Sequence, residues 1–247
     1  MDAVWAGRAG TDWRREVSLP KPYYEDEEHG IVIYHADCRE ILPHLPKVDL
    51  LLTDPPYGIG ADKPRSNTGK NGHIRQRSYP KTCWDSKPVD LWLLLEAIKL
   101  SEEAIIWGGN YFGLPGTSGW LVWDKDNGTN RYADCELAWT NIPMAVRRFL
   151  WKWHGFLQDK AAAKEDRFHP TQKPLQVMLW ALSLSNKAET VLDPFMGSGT
   201  TLVACKQLGR RCIGIELEER YCEIAARRLS QWMLFGQDEL AQIGGGK

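Results

Sequence analysis

The run Val191-Leu192-Asp193-Pro194-Phe195-Met196-Gly197-Ser198-Gly199-Thr200-Thr201 sets an apolar strand, a glycine-rich turn and the start of a helix end to end. Such a turn brings backbone N–H groups and a helix N-terminus to the carboxyl edge of a sheet, where open α/β folds bind ligands. A dinucleotide fingerprint G-x-G-x-x-G would need glycine at position 202, where Leu202 stands, and the G-K-[ST] ending of a phosphate-binding loop is missing too. What remains is a tight turn whose small residues let a nucleoside lie against the backbone. After one helix, stopped by Gly209, comes the strand Cys212-Ile213-Gly214-Ile215, ending in Glu216, an acid able to accept from a ribose diol. Glycine turns of this kind are also common structural punctuation, so this one gains meaning from Glu216 and its neighbours.

Outward from this unit, short apolar runs alternate with helical patterns, the signature of an α/β fold. Strands are expected at 31–35, 49–53, 104–107, 120–123, 136–140, 190–192 and 212–215, and helices at 89–100, 174–184, 200–208 and 218–229. Several strands are apolar throughout, as strands buried on both faces are. With 247 residues, 43% apolar and 26% charged, the chain fits one domain with a modest insertion. Its 31 basic and 32 acidic residues give no global sign of a polyanionic partner, so any nucleic-acid surface must be local. The six cysteines are scattered without metal-ligand spacing, and no apolar run is long enough for a membrane; no metal, reduced thiols and a cytoplasmic location are expected. Residues 1–28 read as an N-terminal arm, 29–230 as the folded domain and 231–247 as a tail. The acidic run Glu25-Asp26-Glu27-Glu28 reads as solvated. Two segments break the alternation. One is 58–87, with Lys63, Arg65, Lys70, Arg75, Arg77, Lys81 and Lys87 against Asp62 and Asp85; the other is 147–167, where Arg147, Arg148 and Lys152 accompany Trp151 and Trp153.

The sharpest chemical signal is Asp54-Pro55-Pro56-Tyr57, directly after the apolar run at 48–53. Two consecutive prolines fix φ and remove two N–H donors, leaving the Asp54 and Pro55 carbonyls without a local partner. A fixed pair of acceptors, the Asp54 carboxylate and the Pro55 carbonyl, suits the two hydrogens of an exocyclic base amine and draws its nitrogen toward a nucleophilic geometry. Tyr57 offers a face for a base taken out of its stack, a contact worth about 1–3 kcal/mol. On its own the block also fits a proline-terminated strand with a capping aspartate. Trp107-Gly108-Gly109-Asn110-Tyr111 ends another strand at the same edge and can line a base pocket, whereas Trp123-Asp124-Lys125-Asp126-Asn127-Gly128 reads as a strand ending in a turn.

Together these blocks resemble the amino-methylating DNA methyltransferases, which act on adenine N6 or cytosine N4, over nearly the whole chain. The resemblance implies a doubly wound, mostly parallel, seven-stranded Rossmann-like sheet carrying a small target-recognition insertion, here 147–167. It implies S-adenosylmethionine as cofactor, held by Asp193, Phe195, Gly197, Ser198, Gly199, Thr200 and Glu216. His169-Pro170-Thr171-Gln172-Lys173-Pro174 matches the family's H-P-T-Q-K-P block, placing Thr171 and Lys173 near the methionine carboxylate, and Asp37 matches the acid expected near the cofactor's adenine, although it could equally cap the next helix. Asp54, Pro55, Pro56 and Tyr57 take the catalytic role, and their position before the cofactor block matches the beta-class order. The implied partner is duplex DNA, with a restriction endonuclease as a further candidate and either a monomer or a homodimer as the assembly. Aspartate first in the block leans toward adenine; cytosine N4 is the alternative. A nicotinamide oxidoreductase, or an inactive DNA-binding relative, would leave Asp54 and the intact glycines unexplained. The short 147–167 region assigns part of the DNA contact to the basic loop 58–87.

Overall fold

The computed structural model describes residues 19–60, 85–128, 133–154, 157–158, 168 and 171–231. Its strands are β1 (Tyr24–Asp26), β2 (Ile31–His35), β3 (Val48–Thr53), β4 (Ser101–Trp107), β5 (Trp120–Asp124), β6 (Cys135–Thr140), β7 (Arg147–Leu150), β8 (Trp153–His154), β9 (Leu157–Gln158), β10 (Thr190–Asp193) and β11 (Arg211–Glu216). Its α-helices are α1 (Cys38–Ile41), α2 (Leu91–Lys99), α3 (Leu175–Ser183), α4 (Thr200–Gln207) and α5 (Glu219–Gln231). Nine strands form one sheet in the order β1-β2-β11-β10-β3-β4-β6-β5-β7, and β8 pairs with β9 separately. Neighbours from β2 to β4 are parallel, while β6 runs antiparallel to both β4 and β5. The seven strands from β2 to β5 are the expected sheet; β1 and β7 extend it at its edges.

Alternation along the strands divides the core into two layers. Ile31, Ile33, Leu50, Leu52, Ile105 and Val191 meet Val177, Leu202 and Ala225 from α3, α4 and α5. Val32, Leu51, Ile106, Leu192 and Ile213 meet Ile41 and Leu94 from α1 and α2. Leu50, Leu51 and Leu52 are all fully buried. Each such side chain contributes about 1.5–3 kcal/mol relative to exposure, which is why the central strands read as unbroken apolar runs.

The outer boundaries differ from the sequence expectation. The sheet begins inside the supposed arm, because β1 pairs with β2, and Asp26 is not a solvated acid. Its carboxylate accepts from the buried ammonium of Lys206 at 2.7 Å and from His29 Nδ1 at 3.0 Å, a tertiary pairing that a charge run does not reveal. Likewise, the first four residues of 147–167 are an edge strand of the main sheet, paired with β5. The expected tail, most of the basic loop and the end of 147–167 lie outside the described residues.

Candidate active site

Parallel pairing of β3 with β10, with Leu50 beside Val191 and Leu51 beside Leu192, makes both sequence blocks leave the sheet at one edge. The two strand ends are bonded to each other: Thr53 Oγ1 donates to Asp193 Oδ1 at 2.7 Å. Thr201 Oγ1 and the Phe195 N–H also donate to Asp193, at 2.5 and 3.1 Å, so this carboxyl organises the glycine turn. Burial pushes its pKa up to about 6, against those three donors. Gly199 has φ 78°, and a Cβ there would lie 2.6 Å from the Ala225 Cβ, so the close approach of α4 to α5 requires glycine. Arg228 on α5 fastens the turn by donating to the Ser198 carbonyl at 2.7 Å and to Thr200 Oγ1 at 3.1 Å.

Glu216, at the end of β11, accepts from the Gly197 N–H at 3.0 Å and the Glu218 N–H at 2.8 Å. Burial outweighs those bonds and pushes its pKa up to about 7. Asp37 is the N-cap of α1: it accepts from the Arg39 N–H at 2.9 Å, and the Arg39 guanidinium holds its carboxyl below the usual range. Capping is thus its visible role.

On the β3 side, Tyr57 donates its hydroxyl to Asp54 Oδ1 at 2.5 Å. Lys173, just before α3, places its ammonium 2.6 Å from Asp54 Oδ2, 3.0 Å from the Tyr57 hydroxyl and 2.9 Å from Glu136 Oε2 on β6. Lys125 closes the chain of charges on Glu136 Oε1 at 2.5 Å. The Lys173, Asp54 and Glu136 side chains are 5, 19 and 25% exposed, so these charges interact through little water. Burial, with a contribution from Glu136, raises Asp54 above the ordinary aspartate value despite Lys173. Lys173 and Lys125 overcome the burial of Glu136 and bring it down to about 2. Burial and the Asp54 carboxylate push the Tyr57 phenol well above its ordinary value, so it remains a donor. Its ring is stacked on Tyr111 at 5.0 Å and 15°, and fits only because Gly108 has no Cβ, which would lie 2.1 Å away. The Pro56 carbonyl accepts from the Val89 N–H at 3.1 Å, and the Gly58 N–H donates to Asp85 at 2.7 Å, which anchors the ends of the basic loop beside the block.

A cleft between the two groups brings together Asp54, Thr171, Lys173, Asp193, Phe195, Gly197, Ser198 and Thr200, all expected from the sequence, with Gln172, Met178, Met196 and Thr201 completing its lining. Tyr57, Pro55, Pro56, Gly199, Glu216 and Asp37 support its walls or lie beyond them. His169 and Pro170 fall outside the described residues. Sequence reasoning missed Glu136, Lys125 and Arg228. The available signal for Glu136 was an acid inside the strand Cys135–Thr140, whose other residues are mostly apolar.

A sheet edge that joins an acid-Pro-Pro-Tyr block to a glycine turn is the arrangement the resemblance to methyltransferases implied, and comparison with known proteins supports that class. Residues 123–227 match the family model described as DNA methylase. The chain is 46% identical to the Type II methyltransferase M2.DpnII of Streptococcus pneumoniae, with 86% of this chain and 94% of that one aligned. It is 29% identical to the Type II methyltransferase M2.MboI of Moraxella bovis, over 84% of this chain and 90% of that one. Among solved structures, the complex of M1.HpyAVI with SAM superposes at a TM-score of 0.53 with 27% identity, covering 81% of this chain and 98% of that one. The chain belongs to the DNA methylase family that modifies adenine N6 or cytosine N4.

Proposed function

We propose that the chain transfers a methyl group from S-adenosylmethionine to N6 of an adenine turned out of duplex DNA, at a specific sequence. The observation that carries this reading is that Asp54 lines the same cleft as the glycine turn between β10 and α4. Aspartate at position 54 favours adenine over cytosine, and the basic residues of 58–87 support duplex DNA as the acceptor. The Type II relatives support pairing with a restriction endonuclease.

The residues present suit S-adenosylmethionine. A side chain built at Gly197 would meet nothing within 4 Å, so the turn leaves room for a ligand against its backbone. Glu216 accepts from three backbone N–H groups and has four lone pairs, so it can still accept from a ribose hydroxyl, and the N-terminus of α4 favours the amino acid's carboxylate. When bound, the cofactor supplies an electrophilic methyl on a sulfonium. Lys173 faces Asp54 and Glu136 while still lining the cleft, so it connects the cofactor side to the acceptor side.

The protein's own task is positioning. Asp54 accepts a hydrogen of the target amine and takes the proton that nitrogen sheds once methylated. Tyr57 donates to the opposite carboxylate oxygen and so fixes its plane. A base stacks on the Tyr57 face now covered by Tyr111 only when Tyr111 moves, and Tyr111, 48% exposed, has room to do so.

The direct test incubates the protein with labelled S-adenosylmethionine and unmethylated duplex DNA, then identifies the modified nucleoside by mass spectrometry. N6-methyladenine is expected. N4-methylcytosine would replace the base and keep the mechanism, and label absent from DNA would overturn the reading.

A further inference from the structure

Resting on that reading, we propose that Glu136 is a positioning residue for Asp54, acting through Lys173. It holds the far side of the shared ammonium, so that the Asp54 carboxylate keeps a lone pair available to the target amine.

Three oxygens surround the Lys173 ammonium: Asp54 Oδ2 at 2.6 Å, Glu136 Oε2 at 2.9 Å and the Tyr57 hydroxyl at 3.0 Å. An ammonium has three donors. The Glu136 contact joins a full anion to the ammonium, so its attraction for Lys173 is mainly Coulombic. Were Lys173 to face Asp54 alone, its full charge would fall on the one carboxylate that must accept from the amine. A carboxylate so neutralised is a poor acceptor, and a carboxylate with no cation in this cleft would instead protonate. Sharing the ammonium with a second acid gives an intermediate strength.

A rival role for Glu136, as a relay that receives the reaction's proton from Lys173, runs against the two cations that hold it: Lys125 and Lys173, at 2.5 and 2.9 Å, keep its carboxyl below the usual range and favour the anion. A permanent anion can tune a neighbour without exchanging protons. Among the described residues, the charged or titratable groups around Asp54 are Tyr57 on its own segment, Glu136 on β6, Lys125 after β5, Lys173 before α3 and Asp193 on β10.

The test measures kcat against pH, with labelled S-adenosylmethionine and duplex DNA, for the full chain, E136Q, K125M, K173M and the E136Q/K173M double variant. Removing the Glu136 charge lowers the Asp54 pKa, so the acid limb of E136Q moves to lower pH and kcat falls between about tenfold and a hundredfold, with cofactor KM unchanged. Removing the Lys125 charge moves the same limb upward. In the K173M background, E136Q relieves only the direct repulsion between the two acids, so it still lowers the acid limb but brings no further loss of kcat. An unmoved acid limb, or an equal E136Q loss with and without Lys173, overturns the proposal, because a merely structural glutamate would behave that way. Should E136Q not fold, K125M still decides the question by the direction of its shift. Wild-type protein that labels no DNA overturns the underlying functional reading instead, before any variant is compared.

Discussion

The two sides of the cleft are built on opposite plans. On the cofactor side, Asp193 bonds Phe195 and Thr201, and Glu216 bonds Gly197 and Glu218, so apart from Thr53 the partners are near in sequence. On the acceptor side, Asp54 meets Lys173 across 119 positions, and Glu136 and Lys125 arrive from two further segments. The first plan gives a turn that any α/β sheet can hold. The second gives a charge network that exists only in the folded chain, so the acceptor side should be the more fragile of the two.

The strongest break in that comparison is Asp54→Ala. It should lower kcat by about 10²–10⁴ while leaving cofactor affinity, read by calorimetry, within a factor of two. If cofactor binding falls as steeply as turnover, the two sides are not separable. Next comes Lys173→Met, which strands the largely buried Asp54 carboxylate, leaves Glu136 with Lys125 alone, and should cost about 3–5 kcal/mol in urea denaturation at neutral pH. Lowering the pH should narrow that loss, because the Asp54 carboxyl, already raised by burial, protonates first once its cation is gone.

On the cofactor side, Gly199→Ala forces a methyl against Ala225 at positive φ and should destabilise by about 1–3 kcal/mol while weakening cofactor binding in step. A smaller effect is expected from Glu216→Gln. Glu216 has its pKa pushed up to about 7, and the carboxylate is the form that accepts from a diol, so wild-type cofactor affinity should rise as pH increases through 7. The variant should bind about tenfold more weakly at pH 8 and lose that pH dependence. The smallest change is Tyr111→Ala, which should shift DNA KM by a fewfold and alter the fluorescence of a 2-aminopurine placed at the target base. An unchanged signal would detach Tyr111 from the base site.

The same contrast explains what the sequence revealed. Every expected strand and helix was found within a few residues, because Leu50-Leu51-Leu52 and its counterparts carry their burial in their composition. The glycine turn was legible for the same local reason: its glycines, Asp193 and Glu216 lie within a single strand–helix–strand unit. Glu136 was placed correctly on a strand but not on the site, since its role depends on a lysine 37 positions later that only the fold brings near. Lys125 stood in a stretch that read as a plain turn. Asp26 looked solvated because nothing in an acidic run announces a buried lysine 180 positions away. Short edge strands such as β1 and β7 take their existence from a neighbour to pair with rather than from a pattern of their own.

The bond from Thr53 to Asp193 turns two adjacent strands into a ruler. On the proposed reading, the donor and acceptor sites hang from β10 and β3, whose separation is fixed by backbone pairing at roughly 4.8 Å. The basic loop 58–87 begins and ends outside that pairing, with Gly58 bonded to Asp85, so a change of length within it leaves the interval between the two strands as it is. The reach from cofactor to target amine is then, on the same reading, a property of the sheet rather than of the loops around it.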